Sequence, residues 1–228
     1  MSHYPAILIV DSSDHRRAGT WFAECLAGLG PAEIVYREDL EAERTAWRAV
    51  VLSGSERCIF ENAPWIETQL AFVRNVVGAG VPLLGVCFGH QLIFRALYGK
   101  EVLARRRRPE VGWPAVTTAS DPLFAGAGPT LYPYNFHFDE VAAAPAEWEV
   151  IASSEECRLH GVKRRDRPVV GLQFHPEVTA EEAVAGFRRE RDLLAACGYD
   201  ADEIIGTGEP RAGYYPEILR NFVKVYAS

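Results

Sequence analysis

The sequence predicts an α/β fold: a central, mostly parallel sheet flanked by helices, with a smaller set of antiparallel strands. Two observations carry this expectation. In the first hundred residues, apolar runs of strand length alternate with amphipathic stretches of helix length, the pattern of a sheet with helices on its faces. From Lys100 onward the strand signals become shorter, with turns between them.

Ala6-Ile-Leu-Ile-Val10 is a continuous apolar run and reads as a buried first strand, ending at Asp11. Arg17 to Leu29 sets Trp21, Phe22, Cys25, Leu26 and Leu29 at helical spacing, and Gly30-Pro31 stops it. Ala32 to Tyr36 and Ala49 to Leu52 are the second and third strands. Pro64 to Val77 carries Trp65, Ile66, Leu70, Val73 and Val77 on one helical face. Pro82 to Val86 is an apolar strand running into Cys87, and Phe88 to Tyr98 is a helix closed by Gly99. Val102 to Leu103, Val111 to Thr117, Thr130 to Tyr134, Val150 to Ser153 and Leu159 to Lys163 form the antiparallel set. Val169 to Phe174 is again a buried strand. Thr179 to Ala196 and Pro216 to Tyr226 are helices, and the glycine- and acid-rich stretch Gly198 to Gly213 reads as a loop. With 228 residues and neither a repeat nor a low-complexity tract, residues 1–228 are expected to form one domain.

Composition narrows the function. A net charge of −7 argues against a general nucleic-acid binder, whose footprint is basic. The longest apolar runs are too short to span a membrane, and no leader pattern opens the chain, so a cytoplasmic protein is expected. Five cysteines without a CxxC pair speak for a reducing compartment, against a disulfide framework or zinc knuckle. No histidine stands in a metal-ligand pattern, so neither metal nor cofactor is expected.

The chemistry concentrates in two segments. Gly85-Val-Cys-Phe-Gly89, a strand end followed by a helix, has the form of a nucleophile elbow. A sharp turn projects the Cys87 thiol, and a side chain at either glycine would clash with neighbouring strands. The unpaired N–H groups and dipole of the following helix favour a thiolate, and the N–H of Phe88 is a donor for an oxyanion. The competing reading is a buried core cysteine in a tight turn. Cys25, Cys58, Cys157 and Cys197 lack such a frame and read as packing or surface.

Phe174-His-Pro-Glu177 supplies the partners. A thiol needs a base, and imidazole suits neutral pH. Pro176 biases His175 toward an extended conformation, which puts Glu177 on the same face to steady the ring. A surface His-Pro-Glu at a strand end is the alternative. His137, in Tyr134-Asn-Phe-His-Phe-Asp-Glu140, is the rival base. His90 is another, one turn down the helix from Cys87 and read as structural, while His3, His15 and His160 have no partner at useful spacing.

Together, Gly85-Val-Cys-Phe-Gly-His-Gln91 and Phe174-His-Pro-Glu177 resemble the class I (triad) glutamine amidotransferase domain, in particular stand-alone relatives of the amidotransferase domain of GMP synthetase. Weaker markers are Leu52-Ser-Gly-Ser55, Gly112-Trp113 and Asp121-Pro-Leu-Phe124. The resemblance implies a flavodoxin-like α/β sheet. It implies that Cys87 attacks the glutamine side-chain amide to give a γ-glutamyl thioester and ammonia, with His175 moving the proton. Backbone N–H groups of Ser55 and Phe88 would form the oxyanion hole, and Gly54, Gln91, His137 and Phe138 the substrate pocket. The chain departs from the family at Ser53-Gly54-Ser55-Glu56, often Ser-Gly-Gly-Pro, and at Phe136 and Phe138, where smaller residues flank the histidine.

Three functions remain open at this level. One is an ammonia-producing glutaminase with a separate acceptor synthetase. The second is a self-sufficient hydrolase or transferase of another γ-glutamyl amide or peptide, and the third a non-catalytic regulatory module. A dienelactone-type hydrolase would need an acid before a distant histidine, against the adjacent His175 and Glu177. Arg105 to Arg108 could dock an acidic partner or a phosphate, although a charge run is more often a solvated loop.

Overall fold

A computed structural model describes residues 6–227. In chain order the first half contains β1 (Ile7–Asp11), α1 (Ala18–Cys25), β2 (Ala32–Tyr36), β3 (Ala49–Leu52), α2 (Pro64–Gly78), β4 (Leu83–Val86) and α3 (Phe88–Tyr98). The second half contains β5 (Leu103–Gly112), β6 (Val116–Thr118), β7 (Thr130–Leu131), β8 (Asn135–Val141), β9 (Trp148–Ser153), β10 (Gly161–Arg164) and β11 (Val169–Leu172). It continues with α4 (Ala180–Arg189), α5 (Arg191–Ala196), α6 (Ala201–Gly208) and α7 (Pro216–Tyr226).

The large sheet has the order β2-β1-β3-β4-β11-β10-β9-β6-β7. From β2 to β11 all neighbours are parallel. Strands β1, β3, β4 and β11 are buried along their whole length, which is why they read as unbroken apolar runs rather than as alternation. One face packs on α2 and α3 through residues such as Leu70, Val73 and Phe94. The other packs on α1 and α7 through Phe22, Leu219 and Phe222.

The antiparallel part differs from expectation: the stretch Val111 to Thr117 is divided between the end of β5 and β6, β7 stops at Leu131, and β8, over Asn135–Val141, was not expected. β10, β9, β6 and β7 continue the large sheet, and the separate small sheet is the ribbon of β5 and β8. The arginine run, expected as a solvated loop, lies within β5. Arg105 binds Asp139, Arg106 binds Glu140 and Glu156, and Arg108 donates to the carbonyls of Cys197 and Gly198.

Further boundaries differ from expectation, α1 among them, which ends at Cys25 rather than Leu29. The helix expected over Thr179 to Ala196 bends at Glu190 into α4 and α5, with Thr179 and Glu182 forming a capping box at its start. The stretch expected as a loop contains α6. There Asp200 caps the N–H groups of Asp202 and Glu203, while Ala201, Ile205 and Gly208 face the core. Gly208 is required there, since a Cβ would fall 2.3 Å from the Trp113 ring.

Candidate active site

Three neighbouring parallel strands end at one place. Leu52 of β3 pairs with Gly85 of β4, and Gly85 and Val86 pair with Gly171 and Leu172 of β11. Matched registers bring the next residues of each chain segment side by side: Ser53-Gly54-Ser55, Cys87, and Phe174-His175. The carboxyl ends of parallel strands are where α/β sheets place their sites.

The turn at Cys87 has the predicted elbow form. Its backbone lies at φ 51° and ψ −106°, and its N–H donates to the Leu172 carbonyl at 2.7 Å. A Cβ on Gly85 would meet the Gly89 carbonyl oxygen at 2.4 Å, and one on Gly89 would meet that of Leu52 at 2.4 Å. Both glycines are therefore demanded by backbone approach. Gly54 closes the third side, since its Cβ would fall 2.7 Å from Cε1 of His175 and 3.7 Å from Cβ of Cys87.

His175 is held at both ends. Its backbone N–H donates to the Tyr134 carbonyl at 3.0 Å, and Nδ1 lies 2.7 Å from Oε1 of Glu177, itself 2% exposed. Burial opposes a charge on this ring. The Glu177 carboxylate, and then Cys87 by charge and by hydrogen bond, outweigh it and hold the His175 pKa well above 6.5. Burial acts in the other direction on thiols outside this frame, pushing Cys25 up to about 11 and Cys157 up to about 12.

A cavity of about 680 Å³ opens over Cys87 and His175. Gly54, Ser55, Gln91, His137, Phe138 and Glu177 line it, together with Phe136. Phe88 contributes differently. Its side chain packs against Trp65, while its N–H, the first of α3, has no intrahelical acceptor. Ser55 keeps a backbone outside the left-handed region, so replacing the family's glycine there costs no φ strain.

The two candidate bases stand in different surroundings. Nδ1 of His137 lies 3.1 Å from the Asp139 carbonyl and Nε2 lies 2.9 Å from Glu110, so both ring nitrogens are committed. Gln91 likewise spends its amide N–H groups on the Asp139 carbonyl and Gln173, leaving Oε1 for the cavity. His90 is fully buried against Phe94 and away from the thiol. His3 lies outside the described residues. His15 and His160 do have partners, Glu56 at 3.2 Å and Glu110 at 3.2 Å, which chain spacing did not reveal.

Several contributors left no sequence signal. Trp21 and Tyr134 join the cavity wall, and the Tyr134 ring lies 5.5 Å from that of His175. The loop after Ser55 is pinned from two sides. Asp139 accepts the Ile59 N–H, while buried Arg95 donates to the carbonyls of Ile59 and Glu61 and to Asn62 and Glu67. Lys100 adds a bond to the Phe60 carbonyl. No helix among the described residues is long and apolar enough to cross a membrane.

Known proteins resemble this chain in sequence and in fold. The family model described as "Glutamine amidotransferase class-I" matches residues 21–189. A relative from Methanothermobacter thermautotrophicus, named as one subunit of a glutamine-hydrolyzing GMP synthase, is 34% identical over 140 residues, covering 61% of this chain and 75% of that one. A glutamine-hydrolyzing GMP synthase from Thermus thermophilus is 36% identical over 158 residues, covering 69% of this chain and 28% of that longer protein. In fold, a glutamine amidotransferase from Thermotoga maritima superposes with a TM-score of 0.79 at 20% identity, covering 99% of each chain.

Proposed function

The chain belongs to the class I glutamine amidotransferase family, and from that premise we propose that Cys87, His175 and Glu177 hydrolyse the glutamine side-chain amide and deliver the ammonia to a separate acceptor enzyme. The observation that carries the reading is the convergence of β3, β4 and β11, which sets Gly54 against both Cys87 and His175 with Glu177 behind the ring.

The steps follow from this arrangement. His175 takes the proton of the Cys87 thiol, which its raised pKa favours, and the protonated ring then pairs with the sulfur. The sulfur attacks the amide carbon, and the negative charge on oxygen is met by the N–H groups of Ser55 and Phe88. Removing one such donor costs about 10²–10³ in rate in related chemistry. His175 gives its proton to the departing nitrogen, ammonia leaves, and a γ-glutamyl thioester remains. The neutral ring then takes a proton from water, whose oxygen attacks the thioester to release glutamate and restore the ion pair. Glu177 orients the ring throughout.

The Methanothermobacter relative carries a subunit name, which supports an acceptor carried on another polypeptide, a GMP-forming synthetase being the first to try. Five free cysteines support a reducing, cytoplasmic setting. No nucleic acid or membrane enters this reading. A second reading is favoured by the cavity itself, whose volume lies within the roughly 300–1,000 Å³ of sites for larger ligands and whose wall includes Phe136 and Phe138. It is a self-sufficient hydrolase or transferase of a bulkier γ-glutamyl amide.

Glutamate release should be measured with glutamine, alone and beside candidate synthetases, and with a panel of γ-glutamyl amides. The first reading expects glutamine turnover that rises with the right synthetase and vanishes in Cys87→Ser. Turnover that persists in Cys87→Ser would overturn the mechanism, and a strong preference for bulky amides would move the assignment to the second reading.

A further inference from the structure

Three buried side chains outside the proposed catalytic site converge behind β8. Glu110 comes from β5, Cys157 from the connection between β9 and β10, and His160 from the residue before β10. We propose that Glu110, Cys157 and His160 form a binding site for a divalent cation of the zinc class.

Each residue offers a ligand atom, and these atoms all lie within 4.8 Å of one another. Oε1 of Glu110 and Nε2 of His160 are 3.2 Å apart. Bonds of about 2.0–2.3 Å in tetrahedral geometry would set the ligand atoms about 3.5 Å apart, so the Glu110–His160 pair opens slightly and the remaining separations, none above 4.8 Å, close toward that value. The three residues are 5%, 3% and 0% exposed. A thiol, an imidazole and a carboxylate together select a borderline-soft ion over magnesium or calcium, which take oxygen ligands. Cys157-Arg-Leu-His160 also keeps two ligands within one short segment.

Three neighbouring features suit a cation. Glu110 and Ser154 line a second cavity of about 360 Å³ whose wall also carries Glu155, Glu156 and Arg211, so the cluster is approached from its carboxylate side. The Ser154 hydroxyl donates to Oε1 of Glu110 at 3.1 Å, and His137 holds Oε2 at 2.9 Å, so the carboxylate is oriented from outside the site. Nδ1 of His160 has no hydrogen-bond partner, so it can take the ring proton when Nε2 turns from Glu110 to an ion. On binding, the Cys157 thiol loses its proton to solvent while the Nε2 proton of His160 moves to Nδ1. The ion then replaces both protons at S and Nε2, for a net release of one.

The test uses the full chain carrying Cys87→Ala, which keeps the proposed nucleophile out of the measurement. Cobalt(II) titration should give a thiolate-to-cobalt charge-transfer band that saturates at one equivalent. Zinc affinity, measured by competition with a chromophoric chelator, should fall at least about 100-fold in Cys157→Ser, since losing an outer partner alone costs 10–100-fold. Glu110→Gln should weaken it as well, providing a second variant should Cys157→Ser fold poorly by circular dichroism. Cys58→Ser should leave the band unchanged. Absence of the band in folded Cys87→Ala protein, or its survival in Cys157→Ser, overturns the site and leaves a hydrogen-bonded cross-tie only.

Discussion

At Cys87 the backbone adopts φ 51° and ψ −106°, a conformation that costs a non-glycine residue about 1–3 kcal/mol. Cys87→Gly should therefore be inactive yet more stable than Cys87→Ala in urea unfolding; a less stable glycine variant would show that the turn carries no strain. His175 sets a second expectation. Its folded pKa is raised above 6.5, so its contribution to stability is complete below the unfolded value and is lost as pH rises through the folded one. The unfolding midpoint should fall over that upper window in the native sequence and fall less in Glu177→Gln, where the main opposing charge is gone. Parallel curves would place the pair's energy elsewhere. His90 behaves in the opposite way. Burial first, then the facing His160 and His137, push it down to about 3. The unfolded chain then takes up the proton as pH falls below 6.5, costing up to about 1.4 kcal/mol per pH unit until the folded value is reached. Thermal scans of His90→Met should lack that component of acid sensitivity. The elbow cysteine, its glycines and the His-Pro-Glu pair were legible because each is a local pattern. Glu110 was not, because its partners His137 and His160 arrive from other strands.

Among the elements, the loop from Ser55 to Asn62 is anchored by buried Ile59 and, through its backbone carbonyls, by Arg95 of α3. That guanidinium is 6% exposed and has backbone carbonyls at 2.5 and 2.6 Å, so the helix that carries the nucleophile also holds the proposed oxyanion loop. Arg95→Met would leave the Ile59 and Glu61 carbonyls without these donors, at a cost of about 1–3 kcal/mol for each buried group left unpaired. We expect a lower denaturation midpoint and a fall in kcat larger than the change in KM, because the loop bears on the reacting carbonyl. An altered KM with kcat intact would assign Arg95 to substrate binding alone. Sequence period located α2, α3 and α7 closely. It missed α6, where Asp200 supplies a cap but Gly206 and Gly208 mimic a loop; packing of Gly208 under Trp113 decides the matter.

Taken as a whole, the molecule builds its cavity from both sheets: Cys87 and His175 lie on the large one, Phe136 and Phe138 on the β5–β8 ribbon. The ribbon joins the proposed oxyanion loop through Asp139 and helix α3 through Gln91. A partner or a bulky substrate meeting the aromatic wall would thus press on the elements that hold the chemistry. Replacing Phe136 and Phe138 together by Leu should change the response to an acceptor synthetase, or the rate on bulky γ-glutamyl amides, more than the rate on free glutamine. Equal loss on all substrates in steady-state kinetics would make the rings simple packing.

By itself the sequence determined which residues have chemistry to offer and where the strands and helices of the first hundred residues lie, because apolar period, glycine punctuation and the two short motifs are all written in neighbouring residues. Tertiary structure decided which strands adjoin. The parallel pairing of β3, β4 and β11 turns three distant segments into one site, and continuation of the sheet through β10, β9, β6 and β7 leaves β5 and β8 as a separate ribbon. Pairing of this kind rests on long-range backbone hydrogen bonds and buried area, to which each strand contributes only half. The same reason hides the Glu110 cluster and the Arg95 anchor: their partners are set by the fold, across chain distances that no local pattern spans.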